Sequence, residues 1–256
     1  MQIDFLGAHN TESKETRQVT LLVDGVLALD AGALTSTLSP AEQRKLKAVM
    51  LTHHHYDHVR DIPALAMNAA LNQSKINLYA TQTVYDNLTA YLLNGELYPT
   101  FFSKPEGNPA IHFSLIEPYA TIHTDGYAVT AIPVKHSIAA VGYQITSPEG
   151  KTLFYTGDTG ANLEECWRHV SPQLLVIEVT MPDRWEEHAR GVNHLTPALL
   201  KKEMESFRKL QGYLPKMVTV HMIPEHEDEI AGELASVSRA LGQQITPAHE
   251  GMRLYL

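Results

Sequence analysis

The sequence contains a single cysteine, Cys166. That excludes an internal disulfide and fits a reducing compartment. No apolar stretch reaches membrane-spanning length; the best run, Leu21–Leu29, is broken by Asp24 and Gly25. Met1-Gln-Ile-Asp lacks the basic start and apolar stretch of a signal peptide. A cytoplasmic location and no membrane partner are therefore expected. Basic runs are scarce as well. The nearest is Arg44-Lys45-Leu46-Lys47, and the formal net charge is −9. A chain that grips a long nucleic acid usually carries a basic stripe. The charge thus argues against a long polyanion and leaves a small anionic substrate open. Two nucleophile and phosphate signatures are missing too: there is no Gly-x-Ser-x-Gly elbow and no Walker-type glycine loop.

What the chain does have is histidine, 14 of them. Spacing decides whether they matter. His53-His54-His55-Tyr56-Asp57-His58 places four metal-competent groups, His53, His55, Asp57 and His58, directly after the strand-like run Ala48–Thr52. A strand-end loop can turn His53 and His55 toward one point and Asp57 and His58 toward a second. The intervening His54 should point away. A histidine-rich surface turn is the plainer reading of an arbitrary pair, but not of this pattern in this position. His136, Asp158 and His221 each follow an apolar strand-like run: Ala131–Val134, Leu153–Thr156 and Met217–Val220. Taken singly, such residues are more often caps or turns; as a set they extend the metal reading.

The remaining pattern is mixed. Strands are predicted at Ile3–Leu6, Val19–Val23, Val26–Leu29, Ala48–Thr52, Ile111–Ile116, Tyr127–Pro133, Ala140–Thr146, Thr152–Tyr155, Leu174–Glu178, Met217–His221 and Arg253–Leu256. Asp24-Gly25 marks a hairpin. Helices are predicted over Ile62–Leu71 and Thr83–Leu93, from Thr196 with Pro197 in the first turn, and after Pro224. Glu96–Asn108, rich in aromatics, Pro and Gly, reads as a loop or lid. Strands followed by helices, twice over, predict an α/β fold of two face-to-face sheets with helices outside, in one domain spanning residues 1–256.

Glu178 at a strand end and His194 before a helix form a second candidate constellation. A carboxylate on one imidazole nitrogen favours the protonated ring, which suits a general acid. The residues alone leave open a helix-start histidine and an exposed strand end.

These motifs together resemble the metallo-β-lactamase superfamily over nearly the whole chain. Asp30 in Leu29-Asp-Ala-Gly32 is similar to the family's structural aspartate beneath the site. The resemblance implies an αββα sandwich of two mixed sheets and two divalent metal ions, zinc first, with manganese or iron as alternatives. It implies that one metal takes His53, His55 and His136 and the other Asp57, His58 and His221. Asp158 and a hydroxide, the nucleophile, would join them. Glu178-x-Thr with His194-Leu-Thr-Pro197, His136-x5-Gly-Tyr143 and Tyr155-Thr-Gly-Asp-Thr159 resemble the phosphodiesterase branch, which includes ribonuclease Z and the class II cyclic-nucleotide phosphodiesterases. Leu93-Asn-Gly-Glu-Leu-Tyr-Pro-Thr-Phe101 is closest to the latter. Met181, Asn193 and Gly7-Ala-His-Asn10 depart from that group's pattern around the pocket. The expectation is a phosphoric diester hydrolase acting on a small phosphodiester, a cyclic nucleotide first, with Asp57, His194 and Glu178 catalytic. Tyr98, Phe101 and His194 are candidate substrate contacts, although the loop aromatics could instead close a lid or a homodimer contact. Alternatives are a ribonuclease Z-like endonuclease, a lactone or thioester hydrolase, and a metal-binding protein without turnover.

Overall fold

A computed structural model describes residues 1–256. The first sheet is built from β1 (Gln2–Gly7), β2 (Thr20–Val23), β3 (Leu27–Leu29), β4 (Ala48–Met50), β5 (Ile76–Ala80) and β6 (Ile111–Leu115). The second takes β7 (Thr121–Thr124), β8 (Tyr127–Pro133), β9 (Val141–Thr146), β10 (Thr152–Tyr155), β11 (Leu174–Glu178), β12 (Lys216–Val220) and β13 (Ile245–Pro247). β14 (Arg253–Tyr255) then returns to the first sheet beside β1, giving the orders β14-β1-β2-β3-β4-β5-β6 and β13-β12-β11-β10-β9-β8-β7. Both sheets are mixed. β3 to β6 run parallel in one and β10 to β13 parallel in the other, with antiparallel strands completing each. The αββα expectation is met.

Three apolar clusters follow from this layering. Phe5, Leu21, Leu29 and Met50 of the first sheet meet Val129, Tyr143, Tyr155 and Val176 of the second between the sheets. Leu65, Ala66 and Val84 cover the outer face of the first sheet. Trp167, Leu199, Met204 and Phe207 cover that of the second. The long helix Pro197–Gln211 shows why a segment stops and starts where it does. Thr196 caps it by accepting the Leu199 N–H, Pro197 fills the first turn, and Gly212 ends it at φ 80°.

Helix Ile62–Leu71 and strands Tyr127–Pro133, Thr152–Tyr155 and Leu174–Glu178 fall on their predicted bounds. The predicted helix Thr83–Leu93 differs. It is α-helical over Gln82–Asn87 and then forms a π-helical turn, Leu88–Leu92. Leu88 and Leu93 are both 1% exposed. Five residues apart, they would diverge by about 140° on an α-helix. The wider turn, closed by Leu93 N–H to Leu88 O at 2.8 Å, keeps both on the core face. The segment between Leu93 and Ala110 has no regular element, as expected, but it is not simply a lid. Phe101 is 3% exposed and sits in the outer cluster of the first sheet, where Tyr98 and Phe102 pack against it.

Candidate metal centre

Every candidate ligand lies just beyond the C-terminal end of a strand, the usual ligand-binding edge of parallel α/β sheets. β4 delivers His53, His55, Asp57 and His58, β8 His136, β10 Asp158 and β12 His221, while β3 ends at the supporting Asp30. One edge of each sheet therefore contributes to a single centre.

Two ligand sets form, sharing Asp158. His53, His55, His136 and Asp158 converge with all ligand atoms within 4.8 Å of one another, and so do Asp57, His58, Asp158 and His221. In the first set, His53 Nε2 and His136 Nε2 each lie 3.1 Å from His55 Nδ1. With all three rings in the tautomers that ligation needs, their lone pairs would repel unless a cation lay among them. In the second, His58 Nε2 lies 3.2 Å from both the Asp57 and Asp158 carboxylates. Yet His58 Nε2 and Asp158 Oδ1 are buried without a hydrogen bond, and such orphans are costly unless a partner of another kind serves them. The donor set, imidazole nitrogen with carboxylate oxygen, fits a borderline divalent metal.

Supporting contacts fix which nitrogen four of the five rings present, as metal-ligating histidines generally require. His58 Nδ1 bonds Asp30 at 2.8 Å, and His136 Nδ1 bonds the Asn193 carbonyl at 3.2 Å. His53 Nδ1 bonds the Thr52 hydroxyl and His221 Nδ1 the Thr180 hydroxyl, both at 2.9 Å. Asp30, fully buried, also accepts the Thr52 N–H, the Thr52 hydroxyl and the Tyr155 hydroxyl. It is the structural aspartate the resemblance implies.

The electrostatics suit ligation. Burial lowers His53, His55 and His136, favouring the neutral rings a metal needs. Burial pushes Asp57 and Asp158 the other way, but neighbouring histidines hold both carboxyls below the usual range. Backbone strain gathers here too. Asp30, Asn193 and His221 all adopt left-handed conformations, with φ of 58°, 58° and 69°. Asn193 thus takes a conformation that glycine would adopt freely, which explains how it can replace one. Gly157 admits no substitute, because a Cβ there would lie 2.8 Å from Thr52.

Glu178 is not an exposed strand end. It is fully buried and bonds His194 Nδ1 at 2.6 Å. It also accepts from the Thr159 and Leu195 N–H groups and the Thr180 hydroxyl. The His194 ring stacks on His221 at 5.4 Å and 16°. Burial alone would lower His194, but the Glu178 charge outweighs it, and the ring is pushed up to about 9. Asp57, Asp158, His194 and His221 line an open pocket of about 350 Å³, together with Asn10, Gln18 and Tyr56. Tyr98 and Phe101 do not line it. Phe101 is sealed in the apolar cluster, so its predicted role as a substrate contact is corrected, and Tyr98 packs against the same cluster. Sequence reasoning missed Thr180, whose hydroxyl touches Glu178, His194 and His221. Its only signal was its place in Glu178-x-Thr. It also missed Asn10, whose buried Oδ1 has no partner.

Histidine and aspartate ligands gathered at the strand ends of a four-layer αββα sandwich define a metal-dependent hydrolase of the metallo-β-lactamase type. Residues 20–222 match the family model described as Beta-lactamase superfamily domain, and the chain belongs to that family. A metal-dependent hydrolase of Myxococcus xanthus is 30% identical over 124 residues, covering 47% of this chain and 40% of the relative. A ribonuclease Z of Acaryochloris marina is 27% identical over 156 residues, covering 57% and 47%. The chain thus spans about half the length of these curated relatives. Unliganded yeast PDE1 shares the fold with a TM-score of 0.86 over 100% of this chain and 99% of that one, at 16% identity. No helix is long and apolar enough to cross a membrane.

Proposed function

We propose that the chain is a dinuclear metal-dependent phosphodiesterase acting on a small phosphodiester, a cyclic nucleotide first. His53, His55 and His136 would hold one ion and Asp57, His58 and His221 the other, with Asp158 shared; zinc suits the donors best. When bound, the metals supply a nucleophilic water at neutral pH and positive charge for the phosphoryl oxygens. The observation that carries the phosphodiesterase reading is the Glu178–His194 pair at the pocket wall. An alkoxide leaves poorly unless it is protonated as the bond breaks. His194 holds a proton for it at Nε2, while Glu178, fixed by three further donors, holds Nδ1. Asp57, which lines the pocket, would take a proton from incoming water. The match to yeast PDE1 along its length and the ribonuclease Z relatives agree with phosphodiester chemistry. The net charge of −9 favours a small substrate over a long nucleic acid.

The layers share their sheets, which favours one domain over residues 1–256. The unpaired, buried Cys166 favours a reducing compartment such as the cytoplasm.

A substrate panel on the metal-loaded protein tests the reading: 3′,5′-cyclic and 2′,3′-cyclic nucleotides, nitrophenyl phosphodiesters, a precursor tRNA and a lactone. Cleavage of cyclic nucleotides is expected, and hydrolysis of the lactone alone would overturn it. His194→Ala should lower cleavage of alkoxide-leaving diesters by about 10²–10⁴-fold. Nitrophenolate leaves without a proton, so nitrophenyl esters should suffer far less. Equal losses on both would remove His194 from the acid role.

A further inference from the structure

His54, the ring expected to point away from the metals, lines a second cleft. Tyr56, Val59, Asn87, Tyr91 and Leu92 line it as well, and it encloses about 200 Å³. We propose that this cleft is the nucleobase subsite, holding the flat, uncharged ring of a nucleotide whose phosphate sits at the metal centre. The proposal rests on the phosphodiesterase reading above and deepens it.

Position comes first. Tyr56 lines both this cleft and the metal pocket. The His54 ring centroid is 6.4 Å from that of His55, a candidate ligand. A substrate held at the metals by its phosphate therefore has an adjoining recess for its other end. Size is the second point. Pockets that take a whole drug-sized ligand run to about 300–1,000 Å³, so this one suits a single ring system and not an entire substrate. Chemistry is the third. No charged side chain lines the cleft, and a charged group buried there would go unpaired. Two tyrosines, Tyr56 at 62% and Tyr91 at 70% exposure, offer ring faces for stacking. A purely apolar chain would waste the polar atoms present. His54 Nδ1 is buried without a hydrogen bond. The Asn87 amide nitrogen is committed to Thr83 O at 2.8 Å, but no hydrogen bond occupies its carbonyl oxygen. A planar ring with an edge donor can use the tyrosine faces and the Asn87 carbonyl oxygen together. The π-helical turn Leu88–Leu92 helps build this wall, carrying Tyr91 and Leu92.

The test compares two esters with the same leaving group: thymidine 5′-(p-nitrophenyl phosphate) and methyl p-nitrophenyl phosphate. The ratio of their kcat/KM values reads the nucleoside's contribution alone. Tyr91→Ala should lower that ratio about ten-fold, the scale of one lost base–aromatic stack. Tyr91→Phe should restore it. Binding of adenosine 5′-monophosphate, followed by equilibrium dialysis, should weaken in Tyr91→Ala by a similar factor. An unchanged ratio and unchanged binding, with the wild type cleaving both esters, would overturn the subsite and leave the phosphodiesterase reading standing. Failure of the wild type to cleave either ester would overturn both. A wild-type dimer that Tyr91→Ala dissociates, with the ratio unchanged, would make this face a contact between two copies and overturn the subsite.

Discussion

A single carboxylate, Asp30, organises much of the centre without being able to reach a metal itself. It is fully buried and takes four hydrogen bonds, one of them from the His58 ring. Asp30→Asn keeps the shape but removes the charge that orients His58 and makes it a better donor. Metal affinity should fall by about 10–100-fold, read by competition with a chelator dye; unchanged affinity would count against this role. His9 is different in kind. It lies outside the pocket, 2% exposed, bonded to Glu250 at 2.7 Å and to Glu227 at 3.3 Å. Burial lowers its affinity for a proton, but the two carboxylates more than reverse this, so His9 is raised above 6.5 in the fold. Its contribution is complete below 6.5 and is lost as pH rises through the raised value. Burial raises Glu250, but His9 and the Arg17 N–H outweigh it, so its value falls below 4.5. Its contribution is present above 4.5 and is lost as pH falls through the lowered value. Between those limits both contribute. Urea melts should show wild-type stability falling more between about pH 5.5 and about pH 8.5 than His9→Gln does. Parallel profiles would refute the linkage.

At the scale of elements, the helix Pro197–Gln211 is tied to the neighbouring short helix Glu164–Arg168 and its entry by one buried acid. Glu203 accepts the Asn162 and Leu163 N–H groups and the Trp167 indole N–H at 2.7, 3.1 and 3.1 Å. Glu203→Leu leaves buried donors without an acceptor, each costing about 1–3 kcal/mol. Chemical denaturation should show a loss of that order with an unchanged denaturant slope; a neutral result would mean that water replaces the carboxylate. Much of the element pattern could be read in advance because buried strands here are short, nearly continuous apolar runs such as Leu174–Glu178. β5 was overlooked between two helices, although its alternating Ile76-Asn-Leu-Tyr-Ala80 matches its alternating burial. β7 is a polar edge strand, and the helix Glu186–Val192 is short and contains Gly191, so neither carries a strong period. The candidate ligands stood out because four sit in one six-residue run and the others follow strong strands. The aromatics at 98 and 101 misled because an irregular segment suggests exposure, whereas this one inserts Phe101 into the core. Hydroxyls and carbonyls such as those of Thr180 and Asn193 are common everywhere. Only the fold shows which of them hold a ligand.

For the whole molecule, the division of the candidate ligands between the sheets matters most. His53, His55, Asp57 and His58 come from the first sheet, and His136, Asp158 and His221 from the second. Neither set is complete until the sheets have docked, and each set needs Asp158. The earliest and latest of these ligands, His53 and His221, are far apart in sequence, and the edge pairing of β1 with β14 spans almost the full chain. Contacts of such separation form slowly. On refolding from denaturant, metal uptake monitored by a chromophoric ion such as cobalt should trail secondary-structure recovery and coincide with the final native phase. Uptake in the first fast phase would show that one strand-end loop binds alone. On this reading the centre would be an assembly clock as well as a reaction site. Its ions would enter when the two halves meet, and from then on they would act as a clasp that slows their separation.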